Sequence, residues 1–215
     1  VFPGGGVDPR DADPSIPWGG GSAEDFAARL GTDTKTARLV VAAAVRELFE
    51  ETGALLMEPI GAGDLDDARR RVETREQSMA DLVVELGGAL DVGQLRPWMR
   101  WVTPESETRR FDTFFFVAVL PAGVTTASVS SEGDSAGWAP AHQVLEDGQR
   151  ERCIVLPPTE SVLRAIVRAG SAHAVLEAAA ARPLAAIVPE ITVDERGRYV
   201  IRASGEVFVR PRPTP

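Results

Sequence analysis

Three glutamates, Glu47, Glu50 and Glu51, lie within five residues of one another in a stretch whose composition suits a helix. On a helix, positions i, i+3 and i+4 share one face, with about 5–6 Å between their Cβ atoms. Carboxylates this close repel one another, and hard cations such as Mg²⁺ or Mn²⁺ prefer oxygen ligands. The spacing therefore predicts a divalent metal site that acts on a phosphate-bearing substrate.

Arg46 precedes Glu47 by one position and Glu50 by four, so its guanidinium can pair with a carboxylate and hold the rotamer. The alternative is a solvated acidic helix face with an incidental arginine, the usual explanation for two neighbouring glutamates. A match to Arg46, the three glutamates and Gly53 together arises by chance on the order of 10⁻⁴ times per chain of this length. The complete pattern favours a functional site.

A helix from about residue 35 to Thr52 must carry these side chains. Thr32 or Thr34 can cap its start, and Gly53 can end it in a left-handed conformation. Its other sectors are apolar and offer a packing side, made of Ala42, Val45, Leu48 and Phe49.

The rest of the chain alternates between helical and strand-like patterns, which predicts an α/β fold. Residues 1–22 are rich in Gly, Pro and Asp and predict a loop. The expected helices cover residues 23–30, two segments within 64–88 with charge-rich outer faces (Arg69, Arg70, Arg71), a short turn at 140–145, and 159–181. The expected strands cover residues 54–59, 99–102, 111–120, a segment ending at 137–140, and a hairpin of 191–193 and 199–201, followed by a frayed tail over 210–215.

Composition limits the classes of partner. With 215 residues, 44% of them hydrophobic, the chain can bury a core of its own. A net charge of −9 argues against a nucleic-acid partner, because binding a phosphate backbone needs clustered basic surface. A small phosphorylated ligand remains compatible if metal ions supply positive charge.

The single cysteine, Cys153, cannot form an intrachain disulfide, so a reducing compartment, the cytoplasm, is expected. No apolar run approaches the roughly 18 residues of a membrane span, so no membrane partner is expected. The oligomeric state, monomer or homodimer, is left open.

Residues 46–54, Arg-Glu-Leu-Phe-Glu-Glu-Thr-Gly-Ala, resemble the second half of the Nudix box, G-x5-E-x7-R-E-U-x-E-E-x-G-U, in which U is aliphatic. Phe2-Pro3-Gly4-Gly5 resembles the strand end and glycine turn that open the box. The box places 14 positions between its glycine and its arginine, whereas Gly5 to Arg46 spans 41, so about 27 residues are inserted here. Three residues are left as substitutes for the early box glutamate: Asp8, Asp11 and Asp13.

Split boxes of this kind are similar to the Nudix branch that includes mammalian peroxisomal coenzyme A diphosphatases and bacterial relatives. Residues 101–105, 109–115 and 156–159 also resemble segments of that branch, so the similarity covers most of residues 1–165. It implies a Nudix-type α/β/α sandwich with a mixed central sheet between the catalytic helix and the helix at 159–181.

The same resemblance implies a domain over residues 1–182, with helical insertions at about 9–32 and 64–88 and with the hairpin and tail of 183–215 packed on it. The family places strands ahead of Phe-Pro-Gly-Gly, and this chain begins at Val1. The expectation is therefore a truncated natural sequence that lacks N-terminal strands.

The resemblance implies metal-dependent attack of water on a nucleoside diphosphate derivative. Glu50 and Glu51 would be metal ligands, Glu47 a ligand or the base, and Arg46 the group that orients them. Gly4 and Gly5 would form the turn beside the phosphates. A further metal ligand is expected from Glu132, with Asp134 second, and Arg109 and Arg110 would grip a phosphate, unless they form salt bridges with Glu105 or Glu107.

The first substrate hypothesis is coenzyme A or acyl-coenzyme A. The second keeps the chemistry but acts on NADH, ADP-ribose or another nucleotide conjugate. A third is a non-catalytic Nudix module that binds a nucleotide, against which the intact glutamates argue.

Overall fold

The computed structural model describes residues 2–61, 63–120, 137–180 and 184–211. The chain forms two compact units. The N-terminal unit comprises residues 2–96 and 116–138, and the C-terminal unit comprises residues 97–115 and 139–215. The domain boundary expected at residue 182 stays a prediction. Over the described ranges, no helix is both long and apolar enough to cross a membrane.

Four helices make up most of the N-terminal unit. They are α1 (Ala23–Leu30), α2 (Thr34–Thr52), α3 (Leu65–Glu73) and α4 (Met79–Leu86), close to the predicted ranges. The cap of α2 is Asp33, whose side chain accepts from the Thr36 amide, so the predicted threonine caps were wrong by one position. Gly53 ends α2 in the predicted left-handed conformation, with φ of 72°.

This unit also contains the 3₁₀ turn Pro9–Ala12, a second short 3₁₀ segment (Val92–Gln94), and a small sheet of β1 (Trp18–Gly19), β2 (Met57–Glu58) and β3 (Ala89–Asp91). The order is β1-β3-β2, with β1 parallel and β2 antiparallel to β3. The strand expected over residues 54–59 is shorter, although Ala54, Leu55 and Leu56 are all buried.

One side of α2 is fully buried, with Val41, Val45 and Phe49 at zero exposure. Burying a side chain of this kind stabilises a fold by about 1.5–3 kcal/mol. This packing fixes the rotation of α2 about its axis, and with it the direction in which the acidic side faces.

The C-terminal unit contains two sheets. The first has the order β5-β4-β6, made from β4 (Leu95–Val102), which begins at the end of the N-terminal unit, β5 (Asp112–Ala118) and β6 (Ala186–Ile187), with β6 parallel to β4. The second is an antiparallel meander of β7 (Glu190–Val193), β8 (Tyr199–Ala203) and β9 (Glu206–Arg210). The sequence predicted the β7–β8 hairpin but not β9, whose Phe208 packs with Trp101 and Ala203.

The helix expected over residues 159–181 is two helices, α6 (Pro157–Ala169) and α7 (Ala172–Ala180). Gly170 adopts φ of 80° and ends α6, and the Ser171 hydroxyl accepts from the Ala174 amide at the start of α7. The expectation of one helix was wrong because alanine-rich periodicity hid this glycine cap. The preceding helix, α5 (Ala141–Gln149), is longer than the predicted turn.

Two further expectations concern ends of elements. Residues 137–140 contain no strand, and residues 121–136, where the expected strand would run, lie outside the described residues. Arg210, placed by the sequence in the frayed tail, is the last residue of β9, and residues 212–215 lie outside the described residues.

Candidate functional site

The guanidinium of Arg46 connects three carboxylates near the end of α2. Its Nη1 donates to Glu47 Oε1 at 2.8 Å and to Glu50 Oε2 at 2.9 Å. Its Nε and Nη2 donate to the two oxygens of Asp11 at 2.9 and 3.0 Å, and Nη2 also donates to the Gly6 carbonyl at 2.9 Å. Because Glu47 and Glu50 share one donor nitrogen, their carboxylates converge as the spacing predicted.

Asp11 is the partner that the sequence did not single out. It is 2% exposed and lies in the 3₁₀ turn, where its Oδ2 also accepts from the Asp8 amide at 2.8 Å. Asp8 pairs instead with Arg10, and Asp13 accepts from Ser15. A sequence signal was present, because Asp11 stands six positions after Gly5, as the glutamate does in G-x5-E.

The glycine turn lies directly against the acidic side of α2. The Gly4 amide donates to Glu51 Oε1 at 2.9 Å. A Cβ on Gly5 would come within 2.6 Å of both Glu47 carboxylate oxygens, so any other residue here would displace the Glu47 carboxylate. The structure thus brings Gly4 and Gly5 to Glu51 and Glu47, respectively.

The charges around Arg46 are unbalanced. Three carboxylates, those of Asp11, Glu47 and Glu50, contact one guanidinium, so two negative charges are in excess when all three are ionised, and Glu51 adds a further carboxylate at the neighbouring position. Burial raises the pKa of the Glu50 carboxyl to about 7; the charge of Arg46 opposes this shift and that of Glu47 adds to it. Burial alone would lower the pKa of Arg46, but the hydrogen bond and charge of Asp11, together with the charges of Glu50 and Glu47, outweigh burial and raise that pKa.

The carboxylates are candidates for an open divalent metal site that water and substrate would complete. Among the described residues, no group of three acidic, histidine or cysteine side chains is arranged so that it could hold a metal ion by itself. Mg²⁺ usually keeps several waters and takes the rest of its ligands from one or two carboxylates and substrate phosphates, so a closed cage is not required. The Glu50 carboxylate, whose charge is disfavoured by burial and by the nearby carboxylates of Glu47 and Asp11, is the kind of group that a cation would stabilise.

Arg109 and Arg110 belong to the C-terminal unit and are exposed. The Arg109 guanidinium lies 5.0 Å from the ring centroid of Phe111, and Arg110 Nε donates to the Thr103 carbonyl at 3.1 Å. Within the described part of the chain neither arginine forms an ion pair, so the alternative of salt bridges with Glu105 or Glu107 is not seen. Their phosphate role stays a prediction.

The remaining predicted ligand, Glu132, and the second choice, Asp134, both lie outside the described residues. Their roles stay predictions.

A protein-family model described as "NUDT19 Nudix domain" matches residues 30–165 of this chain. Among curated proteins, the chain is similar to acyl-coenzyme A diphosphatases named NUDT19. The Xenopus laevis protein is 27% identical over 135 residues, which cover 54% of this chain and 36% of that protein. The human protein is 36% identical over 94 residues, 36% of this chain and 25% of that protein. The matched region thus spans about a third of such relatives, or less.

Among solved structures, the chain is similar to a NUDIX hydrolase from Alicyclobacillus acidocaldarius, with a TM-score of 0.67 and 26% identity. The likeness covers 86% of this chain and 82% of that one. It confirms the predicted mixed α/β fold of the Nudix type.

Proposed function

Because this chain belongs to the family of the NUDT19 Nudix domain, we propose that it hydrolyses the pyrophosphate bond of coenzyme A or an acyl-coenzyme A, with a divalent cation, Mg²⁺ or Mn²⁺. The relatives named acyl-coenzyme A diphosphatases support this choice among nucleoside diphosphate derivatives. Water would attack one phosphorus, leaving a phosphopantetheine product and adenosine 3′,5′-bisphosphate.

The observation that carries the proposal is the double hydrogen bond from Arg46 Nη1 to Glu47 and Glu50. A guanidinium that donates to both carboxylates fixes their rotamers, while each carboxylate has a second oxygen with which to coordinate a cation. An incidental arginine on a solvated helix face would be exposed, whereas Arg46 is 9% exposed and is also bound by Asp11.

When bound, a divalent cation supplies positive charge that neutralises the diphosphate and makes water a better nucleophile. Glu50 and Glu51 would hold it, joined by Glu132. Glu47 would act as a further ligand or would accept the proton of the attacking water. The turn at Gly4 and Gly5 lies against Glu51 and Glu47, so it leaves room beside the carboxylates that a side chain would occupy.

The exposed pair Arg109 and Arg110 is proposed to bind a substrate phosphate. A guanidinium can offer two parallel donors to a phosphate, and neither side chain is engaged in an ion pair among the described residues.

The test is product analysis by mass spectrometry. The chain is incubated with coenzyme A, an acyl-coenzyme A, NADH and ADP-ribose, in Mg²⁺, in Mn²⁺ and in EDTA. Adenosine 3′,5′-bisphosphate formed only with metal supports the proposal. If NADH or ADP-ribose were instead cleaved faster in the presence of metal, that nucleotide conjugate would replace coenzyme A as the proposed substrate.

A non-catalytic role has a distinct outcome in the same experiment. In that outcome the metal-loaded chain binds nucleotides tightly, while both it and Glu51→Gln form product only at the background rate. The protein would then be a nucleotide-binding module and not a hydrolase.

A further inference from the structure

The last four carbonyl groups of α2, those of residues 49–52, have no amide partner within the helix, as at every helix C-terminus. The Phe49 carbonyl accepts from the amide of the cap residue, Gly53, at 2.8 Å. The Glu50 carbonyl accepts from another helix, from Arg69 Nη1 at 2.9 Å.

Arg69 is held firmly in this position. It lies on α3, its side chain is 12% exposed, and its Nη1 is 3.6 Å from Glu73 Oε2 one turn further along α3. Its Cδ lies 4.0 Å from where a Cβ on Gly53 would stand, so it packs directly against the cap of α2. A cation here also complements the negative end of the helix dipole, an effect that is strongest within the last turn.

The Glu50 carbonyl belongs to the same residue whose carboxylate is bound by Arg46. Glu50 therefore has two arginine partners: Arg46 binds its side-chain carboxylate, and Arg69 binds its main-chain carbonyl. Helix ends fray, and the turn that carries Glu50 and Glu51 is the last one before Gly53. Small rotations of that turn would move both carboxylates, and catalytic geometry is sensitive to shifts of about 1 Å.

A second contact links the same insertion to the other half of the split box. Arg10 Nη1 donates to the Arg75 carbonyl, in the turn between α3 and α4, at 3.2 Å. Arg10 lies in the 3₁₀ turn beside Asp11, which binds Arg46. The α3–α4 insertion thus contacts both segments that build the carboxylate cluster.

We propose that Arg69 is a positioning residue, which fixes the last turn of α2 so that Glu50 and Glu51 converge on the metal. The proposal rests on the proposed function in that it takes these glutamates as metal ligands. It assigns a role to the insertion at residues 64–88, where sequence alone placed Arg69 on a charged outer face.

The test compares Arg69→Met with a matched control, Arg70→Met. Arg70 is the next residue on α3, its side chain is 50% exposed, and it pairs with Asp67 and Glu76 and not with α2. Two readouts are used: Mn²⁺ affinity by titration followed with electron paramagnetic resonance, and kcat and KM at saturating metal.

For Arg69→Met we expect Mn²⁺ affinity and kcat each to fall about tenfold, the lower end of what losing an outer-shell contact costs, with KM changed less than about twofold. Arg70→Met should match the unmodified chain. Arg69→Lys keeps a cationic donor and should recover part of both losses, whereas Arg69→Gln keeps a shorter neutral donor and should recover less.

Unchanged Mn²⁺ affinity in Arg69→Met would overturn the inference, even if its melting temperature falls, because Arg69 would then only stabilise the fold. If Arg69→Met does not fold, the Lys and Gln variants decide, and equal affinity in both and in the unmodified chain overturns it. If the unmodified chain binds Mn²⁺ but cleaves no nucleotide, the proposed function fails, while a loss of affinity in Arg69→Met still supports the positioning role.

Discussion

Asp11 and Arg46, 35 positions apart in the chain, form a two-pronged ion pair with nitrogen to oxygen distances of 2.9 and 3.0 Å. The Asp11 side chain is 1% exposed and that of Arg46 is 11% exposed. The pair fastens the loop after the glycine turn to the helix that carries the glutamates. Together with the hydrogen bonds from the Gly4 amide to Glu51 and from Arg46 to the Gly6 carbonyl, it joins the two halves of the split box.

The first prediction concerns this pair. Asp11→Ala removes two charge-assisted hydrogen bonds to a buried guanidinium but leaves Arg46 paired with Glu47 and Glu50. Urea unfolding of the metal-free chain should therefore show a loss on the order of 2–3 kcal/mol, below the loss of about 3–5 kcal/mol for a buried charge left without a partner. Asp13→Ala is the control, since the Asp13 side chain accepts hydrogen bonds only from nearby Ser15 among the described residues, and it should cost about 1 kcal/mol or less. Equal losses in the two variants would contradict the assigned role of Asp11.

The second prediction uses two neighbouring glycines. A Cβ at Gly5 would stand 2.6 Å from the Glu47 carboxylate oxygens, whereas a Cβ at Gly6 would have nothing within 4 Å. Gly5→Ala must push the Glu47 side chain away, and we expect hydrolysis and Mn²⁺ affinity to fall about 10–100-fold, as when a ligand loses its orientation. Gly6→Ala should keep both. Turnover of coenzyme A and metal titration on the two variants measure this, and an active Gly5→Ala would show that Glu47 need not stay where it is.

The third prediction concerns pH. The pKa of Glu50 in the folded protein, about 7, lies above its ordinary value of 4.5, so folding favours the protonated carboxyl. The metal-free fold should therefore lose stability as pH rises from about 4.5 to about 7, on the order of 3 kcal/mol, with no further loss above. Glu50→Gln lacks this dependence. Its unfolding free energy relative to the unmodified chain should rise between pH 5 and pH 8 in EDTA, and an unchanged difference would refute the prediction.

The fourth prediction concerns metal binding and stability. A ligand that binds only the folded state stabilises it by about 2.7 kcal/mol at a hundred times its Kd. Mn²⁺ should raise the melting temperature of the unmodified chain and of Glu24→Gln, an exposed glutamate on α1. In Glu51→Gln the same Mn²⁺ concentration should have a much smaller effect, and turnover should fall to background. A full Mn²⁺ shift in Glu51→Gln would remove Glu51 from the set of ligands.

The sequence by itself determined the local parts of this site. The range of α2, its left-handed end at Gly53 and the shared face of Glu47, Glu50 and Glu51 all follow from spacing within a few residues, because helix geometry relates neighbours three and four apart. The β7–β8 hairpin was also predictable, because its two strands are separated by a short turn and are close in sequence. Where a local signal was masked, as at Gly170 in an alanine-rich stretch, the prediction failed.

Only the tertiary structure decided which distant residues meet these glutamates. Three aspartates were left open in the sequence, although the G-x5-E spacing from Gly5 falls on Asp11, and the structure shows that Asp11 is the one that binds Arg46. Arg69 is one of three consecutive arginines, and it alone donates to the Glu50 carbonyl. Which residues contact these glutamates depends on how separate helices pack. That packing is set by contacts between residues far apart in the chain, and a short-range sequence pattern does not contain this information.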